Sequence, residues 1–184
     1  MNRSQLAVLV RHTEELNRLV RESLSEALLR LMGEKPYEKI RITELCSRAG
    51  VSRMAFYGNF QTKDDILRET IVELNRELVR RMGSPFRSTT SKDWYVRFFA
   101  FVKEKSEVLK KIFDAGFENK YLLLVNNIVL ADPSIPQEKK YQRLIWSGGI
   151  ENAMVYWPGN GMRETEEEMA DYCAAYLVPW SLKK

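Results

Sequence analysis

The chain has 184 residues, of which 45% are hydrophobic, and this is enough apolar material to build a core and to exclude a disordered chain. Its formal net charge of +4 favours an anionic partner only mildly. Residues 1–82 hold 15 Lys and Arg against 12 Asp and Glu, a net of +3, so the excess positive charge lies in the N-terminal half.

Residues that carry metal or covalent chemistry are scarce. His12 is the single histidine, and Cys46 and Cys173 stand far apart at apolar helical positions, where reduced core cysteines are expected. The sequence also has no nucleophile elbow and no phosphate-binding loop. We therefore expect no enzyme activity, no metal site and no cofactor.

The longest apolar runs are too short for a membrane span, which needs about 18 to 20 residues. The opening segment MNRSQLAVLVRH contains only a very short apolar run, so we expect no signal peptide. Both features predict a cytoplasmic protein without membrane contact.

The first predicted helix carries one apolar stripe and ends at Gly33. The residues of this stripe recur every three to four positions: Leu16, Leu19, Val20, Leu24, Ala27, Leu28 and Leu31. Pro36 and Tyr37 lead out of this helix, and Thr43 is predicted to cap the next one.

Residues 42–67, ITELCSRAGVSRMAFYGNFQTKDDIL, show the pattern of a helix-turn-helix followed by a third helix. Gly50 lies at the turn, where a positive φ costs little, and Ser52 is placed to cap the second helix. Thr62 and Asp65 form a capping box for the third. The positions that a two-helix corner needs as core are apolar: Leu45, Ala49, Val51, Phe56 and Phe60.

The second helix of this corner carries the side chains suited to reading DNA. Those predicted on or near its solvent side are Arg53, Met54, Ala55, Tyr57 and Asn59. An arginine here can bond a guanine edge in bidentate fashion, which discriminates bases by about 1–3 kcal/mol, or it can reach a phosphate instead. Tyr57 can instead pack against its neighbours. Lys63, at the start of the next helix, can serve only to solvate that helix end.

The segment GSPFRSTTSKD after Met82 is rich in Gly, Ser, Thr and Pro, so we place a boundary there between domains 1–85 and 86–184. No strand pattern persists anywhere, and the chain is predicted to be all-α with about nine helices. The predicted C-terminal helices span residues 93–103, 104–115, 117–130 and 137–157, with a last one from Thr165, capped by Glu168, to about Pro179.

The second half is rich in aromatic residues at helical spacing, which occur more often as core than as pocket. As a candidate effector pocket we name Trp94, Phe98, Phe101, Phe113, Phe117, Tyr121 and Asn152. Because no charged anchor is evident in the buried stretches beyond the polar groups Asn126, Asn127 and Asn152, a mostly apolar or aromatic ligand is preferred.

The helix over 137–157 has two apolar faces, which predicts a partner for one of them. One face holds Tyr141, Ile145, Gly148 and Asn152, and the other holds Trp146, Ile150, Met154 and Trp157. Gly148 and Gly149 each cost about 1 kcal/mol inside a helix, which a close helix neighbour makes easier to tolerate.

Several motifs together resemble the TetR family of one-component transcriptional regulators: Thr43, AGVS at 49–52, Phe56-Tyr57, Phe60, Lys63 and the pair Asp64-Asp65. The resemblance covers roughly residues 12–82. It implies a homodimer that binds double-stranded DNA at a palindromic operator, commonly as a repressor, and responds to a small-molecule effector. The C-terminal half resembles most the branch that includes regulators of dihydroxyacetone kinase operons.

The resemblance also implies residue roles. For DNA it implies Arg41, Thr43, Ser52, Arg53, Met54, Ala55, Tyr57, Asn59 and Lys63, with Thr43, Tyr57 and Lys63 on phosphates. For the dimer interface it implies Trp146, Ile150, Met154, Trp157, Met169, Tyr172, Cys173 and Tyr176. In such a dimer, an effector that binds more tightly at one spacing of the two DNA-binding domains would change DNA affinity, with the fourth helix transmitting the change.

Two departures from the family pattern weaken the expected DNA contact. Ala55 replaces a frequent hydroxyl residue, and Gly58 replaces a longer, often basic one. They motivate an alternative function, in which a regulator-like dimer has lost operator binding and acts through a partner regulator.

Overall fold

The computed structural model describes residues 3–83 and 91–177, and within these ranges the chain forms nine α-helices and no strand. The predicted all-α fold is confirmed. The helices are α1 Arg3–Glu34, α2 Ile42–Ala49, α3 Arg53–Asn59, α4 Lys63–Met82, α5 Lys92–Glu104, α6 Ser106–Asp114, α7 Glu118–Ala131, α8 Gln137–Gly159 and α9 Glu166–Tyr176, with a 3-10 turn at Tyr37–Lys39 between α1 and α2.

The chain divides into two compact units, Met1–Val72 and Glu73–Lys184. Helix α4 begins in the first unit and ends in the second. The boundary predicted between residues 85 and 86 lies outside the described residues and stays a prediction.

The core of the N-terminal unit forms where the second half of α1 packs on α2 and α3. It is built from fully buried leucines and one phenylalanine: Leu24, Leu28, Leu31, Leu45 and Phe56. The first half of α1 does not join this core. Leu16 and Leu19, which were predicted to continue the buried stripe, are about half exposed, at 49% and 48%. The stripe therefore enters the core only from Val20 onward.

Two predicted helix signals in the N-terminal unit are wrong in detail. Gly33 does not end α1, which continues to Glu34. Thr43 does not cap α2, because the N-cap is Arg41, whose side chain makes no capping bond, and Thr43 is the second residue of the helix. The Thr62–Asp65 capping box is confirmed: the Asp65 carboxylate accepts from the Thr62 N–H at 2.8 Å, and the Thr62 hydroxyl accepts from the Asp65 N–H at 3.3 Å.

In the C-terminal unit, α5 packs against α9 and also contacts α6 and α8, while α7 packs on α8. Its buried aromatic core includes Trp94, Tyr95, Phe99 and Trp157, and the Phe99 and Trp157 rings meet edge to face with centroids 5.4 Å apart. Such contacts add about 0.5–1.5 kcal/mol beyond the burial of area.

The ends of α8 and α9 also differ from prediction. Helix α8 continues through Pro158 to Gly159, because a proline in the last turn removes only one helical hydrogen bond. Helix α9 ends at Tyr176, three residues before Pro179, which lies outside the described residues. The capping box of Thr165 and Glu168 at its start is confirmed.

None of the helices in the described part of the chain combines the length and the apolar character needed to cross a membrane.

Candidate nucleic-acid interface

The turn between α2 and α3 depends on Gly50, whose φ of 67° and ψ of 26° are left-handed. The N–H of Val51 donates to the carbonyl of Cys46 at 3.0 Å, and the N–H of Gly50 donates to that of Ser47 at 3.3 Å. These two bonds form a Schellman motif, which satisfies carbonyl groups at the end of α2. The chain then enters α3 after only two further residues, so the angle between the two helices is tightly set.

Ser52 caps α3 as predicted. Its hydroxyl accepts from the N–H of Ala55 at 3.0 Å, and its backbone is extended. Phe56 lies fully buried on the inner side of α3, and its ring meets that of Phe60 at a centroid distance of 6.3 Å. Together the cap and the two rings fix the rotation of α3 about its own axis.

The outer side of α3 is exposed. Met54 is 83% exposed and Tyr57 is 51% exposed, an unusual degree of exposure for large apolar side chains on a helix with a buried face. Arg53 is exposed as well, and Ala55 is half-buried. The geometry therefore brings Arg53, Met54 and Tyr57 to one accessible surface, as the sequence predicts.

Arg53 lies one turn before Tyr57, with its guanidinium carbon 6.0 Å from the centre of the Tyr57 ring. Cation–π attraction at this distance holds the guanidinium beside the helix without using its N–H donors. Within the described residues, Arg53 makes no ion pair. Its donors are therefore available to a base edge or a phosphate.

Besides Arg53, the start of α2 can bind an anion. No side chain caps this helix, and its first hydrogen bond is the one from the Leu45 N–H to the Arg41 carbonyl at 3.0 Å. The preceding N–H groups, including that of exposed Thr43, have no partner within the helix and carry the positive end of its dipole. Arg41 is exposed beside them. This arrangement suits a phosphate.

Lys63 has an internal role that the sequence does not reveal. Its ammonium donates to the carbonyls of Tyr37 at 2.5 Å and Ile40 at 3.1 Å, and it lies 4.2 Å from the centre of the Tyr37 ring. Burial lowers the pKa of Lys63. The Tyr37 hydroxyl donates to Asp64 at 2.7 Å, so the first turn of α4 is bound to the 3-10 turn. The predicted phosphate contact of Lys63 stays a prediction and competes with these bonds.

Asn59 is also bonded within the N-terminal unit. Its amide donates to the Ala55 carbonyl at 2.9 Å and accepts from Arg21 of α1 at 3.2 Å, and Arg21 also reaches Glu69 at 3.3 Å. These bonds join α1, α3 and α4. Because the Asn59 side chain already holds the end of α3 in place, its predicted DNA contact competes with these bonds.

Several other cations near this surface are paired with carboxylates. Arg48 makes a bidentate pair with Glu34 at 2.6 and 2.9 Å, and this pairing raises the pKa of the guanidinium. Lys35 pairs with Glu44 at 2.5 Å. These pairs hold the end of α1 against α2, whereas Arg41 and Arg53 make no ion pair with any described residue.

The predicted effector pocket is mostly buried core. Trp94, Phe98, Phe101, Phe117 and Tyr121 are at least nine-tenths buried, and Phe113 is half-buried. Asn152 does not join them: it is exposed, and its amide donates to the carbonyl of Gly148 on its own helix at 2.7 Å. Its assignment to an effector pocket stays a prediction.

Five residues of the predicted dimer interface are buried in the core of the single chain, and their role in a dimer interface stays a prediction. These are Ile150, Met154, Trp157, Met169 and Cys173, each no more than 8% exposed. Trp146 is half-buried and donates its indole N–H to the Tyr95 hydroxyl at 2.8 Å. Tyr172 and Tyr176 of α9 remain exposed. The other apolar face of α8 is the one left open, with Tyr141, Ile145 and Tyr156 exposed.

Of the two adjacent glycines in α8, only Gly149 has a close neighbour. A Cβ at Gly149 would lie 2.5 Å from the Leu177 side chain, whereas a Cβ at Gly148 would meet nothing within 4 Å. Gly149 therefore admits Leu177 against α8. Gly148 lies on the open face with Ile145.

Sequence reasoning missed the buried charge of the C-terminal unit. Glu151 is 8% exposed, and burial raises the pKa of its carboxyl from 4.5 to about 7, while a backbone hydrogen bond from Leu122 opposes this rise. It also missed the indole N–H of Trp94, which is buried without a partner in the described part of the chain. The burial of Glu151 had one signal in the sequence: Ser147 and Glu151 lie one helical turn apart between apolar residues.

Residues 24–70 match the family described as Bacterial regulatory proteins, tetR family. This match covers the last third of α1, the helix-turn-helix and the first part of α4, and it supports a DNA-binding transcriptional regulator of that family. No curated protein and no solved structure matches the chain significantly.

Proposed function

We propose that the chain is a transcriptional regulator that binds a palindromic operator as a homodimer, with α3 in the major groove of each half-site. The observation that carries this proposal is the exposed triad of α3, Arg53, Met54 and Tyr57, held outward by a buried Phe56 and a capping Ser52. Recognition helices present base-reading side chains from their N-terminal residues in this way.

Two sites are proposed to fix the register on the DNA backbone. The uncapped start of α2 receives one phosphate through its free N–H groups beside Arg41 and Thr43. The Tyr57 hydroxyl, which no described residue bonds, donates to another. Arg53 is left for a base edge, and Met54 and the Ala55 methyl for apolar contact with thymine.

A second copy of the chain is the proposed partner for the open face of α8. Tyr141, Ile145 and Tyr156 are 59%, 73% and 71% exposed, and they recur with Gly148 at spacings typical of a helix–helix seam. Large apolar side chains rarely line one exposed helix face in a monomer. Tyr172 and Tyr176 of α9 extend the apolar surface that a dimer would cover.

Regulation is proposed to follow from two dimer states that differ in the spacing of the reading helices. An effector bound in the C-terminal unit changes DNA affinity only if it binds the two states unequally. We propose that it favours the state unable to bind DNA, which makes the protein a repressor, the commoner arrangement in the family that the chain resembles.

Replacement of Arg53 by alanine tests the role of α3 in sequence recognition. We expect Arg53→Ala to weaken operator binding by about 1–3 kcal/mol and to relax base preference at one position of each half-site. Lys110→Ala, at an exposed lysine of the C-terminal unit, is the matched control and should leave both unchanged. Equal affinities of the two variants for operator DNA would contradict the proposal.

The alternative function is an interaction module that has lost operator binding, and specific observations favour it. Gly58 leaves open space on α3 where a longer side chain would reach the DNA, and Lys63 and Asn59 are bonded within the chain. The salt dependence of DNA affinity separates the two functions. A regulator that binds operator DNA releases counterions and loses affinity steeply as the salt concentration rises, whereas an interaction module binds DNA weakly at every salt concentration.

A further inference from the structure

Glu151 is the one charged side chain buried in the described part of the chain. Within residues 3–83 and 91–177 no lysine or arginine forms an ion pair with it, and the backbone hydrogen bond from Leu122 is its recorded stabilising contact. A buried carboxylate without a cation is unfavourable. Glutamine would accept the same backbone bond without that penalty, so a purely structural role does not explain a carboxyl group here.

The side chains around Glu151 offer mainly oxygen acceptors. Ser147 lies one turn earlier on α8, and its hydroxyl donates to Asn126 at 2.8 Å and to the Leu144 carbonyl at 3.0 Å. Since its single hydrogen is engaged, the hydroxyl can only accept from a ligand. A primary ammonium, with three donors and no acceptor, is the group that complements a carboxylate beside such a hydroxyl.

Buried aromatic and apolar side chains of the same unit accompany these acceptors. Tyr121 of α7 is close enough for the Glu151 charge to raise the pKa of its hydroxyl, although burial is the larger cause. Its ring meets Phe113 edge to face, with centroids 6.3 Å apart, and Met154 lies buried one turn after Glu151. The apolar or aromatic part of a ligand could pack against these side chains, and the faces of the rings attract a cation.

We propose that the effector is a primary amine with an apolar or aromatic tail, bound as the ammonium ion with its charge paired to Glu151. This inference rests on the proposed function, since it names the chemistry of the ligand that regulates DNA binding. It adds a positive charge to the mostly apolar or aromatic ligand preferred from the sequence, because that preference rested on the lack of an evident charged anchor in the buried stretches.

The site is connected to helix α4. The Tyr121 hydroxyl donates to the Asn75 side chain on α4 at 3.2 Å. The charge of Glu151 raises the pKa of this hydroxyl, so pairing that charge with an ammonium group is proposed to change the hydrogen bond to Asn75. Because α4 begins at Lys63, directly after α3, this bond is the route by which the ligand is proposed to bias the reading helix.

Calorimetric titration of the full chain at pH 8, without DNA, tests the inference. The probes are 2-phenylethylamine, 3-phenylpropylamine and octylamine, each paired with the alcohol of the same carbon skeleton. We expect at least one amine to bind about tenfold more tightly than its alcohol, because only the amine forms a charge-assisted hydrogen bond. Glu151→Gln should remove this preference, and Tyr121→Phe should keep it while weakening the effect of the amine on DNA affinity.

Glu138→Gln is the matched control, since Glu138 is an exposed carboxylate on the same helix, and it should keep the amine preference. The inference is overturned if no amine binds, if amine and alcohol bind equally, or if the preference survives in Glu151→Gln. Folding of each variant is checked by its circular dichroism. DNA binding measured without any amine reports on the proposed function separately, so the two can fail independently.

Discussion

Replacement of Glu151 by glutamine should stabilise the protein at high pH and leave its stability unchanged at low pH. The pKa of this carboxyl rises from its ordinary value of 4.5 to about 7 in the folded chain, chiefly because it is buried. The folded state therefore holds a proton that the unfolded state has lost between these two pH values. The contribution of Glu151 to the free energy of unfolding falls as pH rises through this window and is constant above it.

The size of the effect follows from the two pKa values. A difference of about 2.5 between 4.5 and 7, at about 1.36 kcal/mol for each pKa unit, sets an upper bound of about 3 kcal/mol. The glutamine carbonyl keeps a weaker bond to the Leu122 N–H, which reduces the gain. We therefore expect Glu151→Gln to be about 1–3 kcal/mol more stable than the wild type at pH 8 and about equal to it at pH 5.

Urea unfolding followed by tryptophan fluorescence and by circular dichroism at pH 5, 6, 7 and 8 measures this difference. Glu138→Gln provides the control for loss of a carboxylate from α8, and its effect should be small and almost independent of pH across this range. A Glu151→Gln variant that is less stable than the wild type at pH 8 would refute the reasoning. So would a difference that does not grow between pH 5 and pH 8.

Three further changes test the scaffold and the dimer. Ser52→Ala should lower the free energy of unfolding by about 1 kcal/mol in urea titrations through loss of the α3 cap, whereas Ser47→Ala on exposed α2 surface should not. Lys63→Met should cost about 1–2 kcal/mol in the same assay because three carbonyl groups lose a cationic donor, and unchanged stability with weaker DNA binding would instead assign Lys63 to phosphate. Ile145→Arg should convert the dimer to monomers in sedimentation velocity, while Leu123→Arg, on exposed surface of α7, should not; a dimer that tolerates both would place the interface elsewhere.

The features that the sequence predicted correctly depend on residues close together in the chain. The Ser52 cap, the Gly50 turn and the two capping boxes each involve a few consecutive residues, whose hydrogen bonds follow from local geometry. The exposed face of α3 was predictable for the same reason, because Phe56 sets which side is buried.

The two faces of α8 show where such reasoning stops. Both stripes are apolar and aromatic, so periodicity identifies two buried faces without saying which one the chain covers itself. The structure covers the face of Ile150 and Met154 with helices from the same chain and leaves that of Ile145 open. That choice depends on packing between helices distant in sequence.

The contacts of Lys63 and the burial of Glu151 were not predicted, for a related reason. Lys63 binds carbonyl groups 23 to 26 residues earlier in the chain, which no local pattern indicates. A single glutamate in a helix usually faces solvent, and Glu151 is buried because other helices of the unit pack on α8. Long-range contacts decide both positions.

Titration of the purified protein against DNA from immediately upstream of its own coding region tests the central claim most directly. The titration is made at about 50 mM and about 200 mM salt, with an unrelated duplex of equal length as control. We expect tight binding to the upstream DNA and weak binding to the control. Two phosphate contacts from each copy of a dimer predict a loss of affinity of about 10²-fold between the two salt concentrations. Equal and weak binding to both duplexes at both salt concentrations would contradict the account and favour the interaction module.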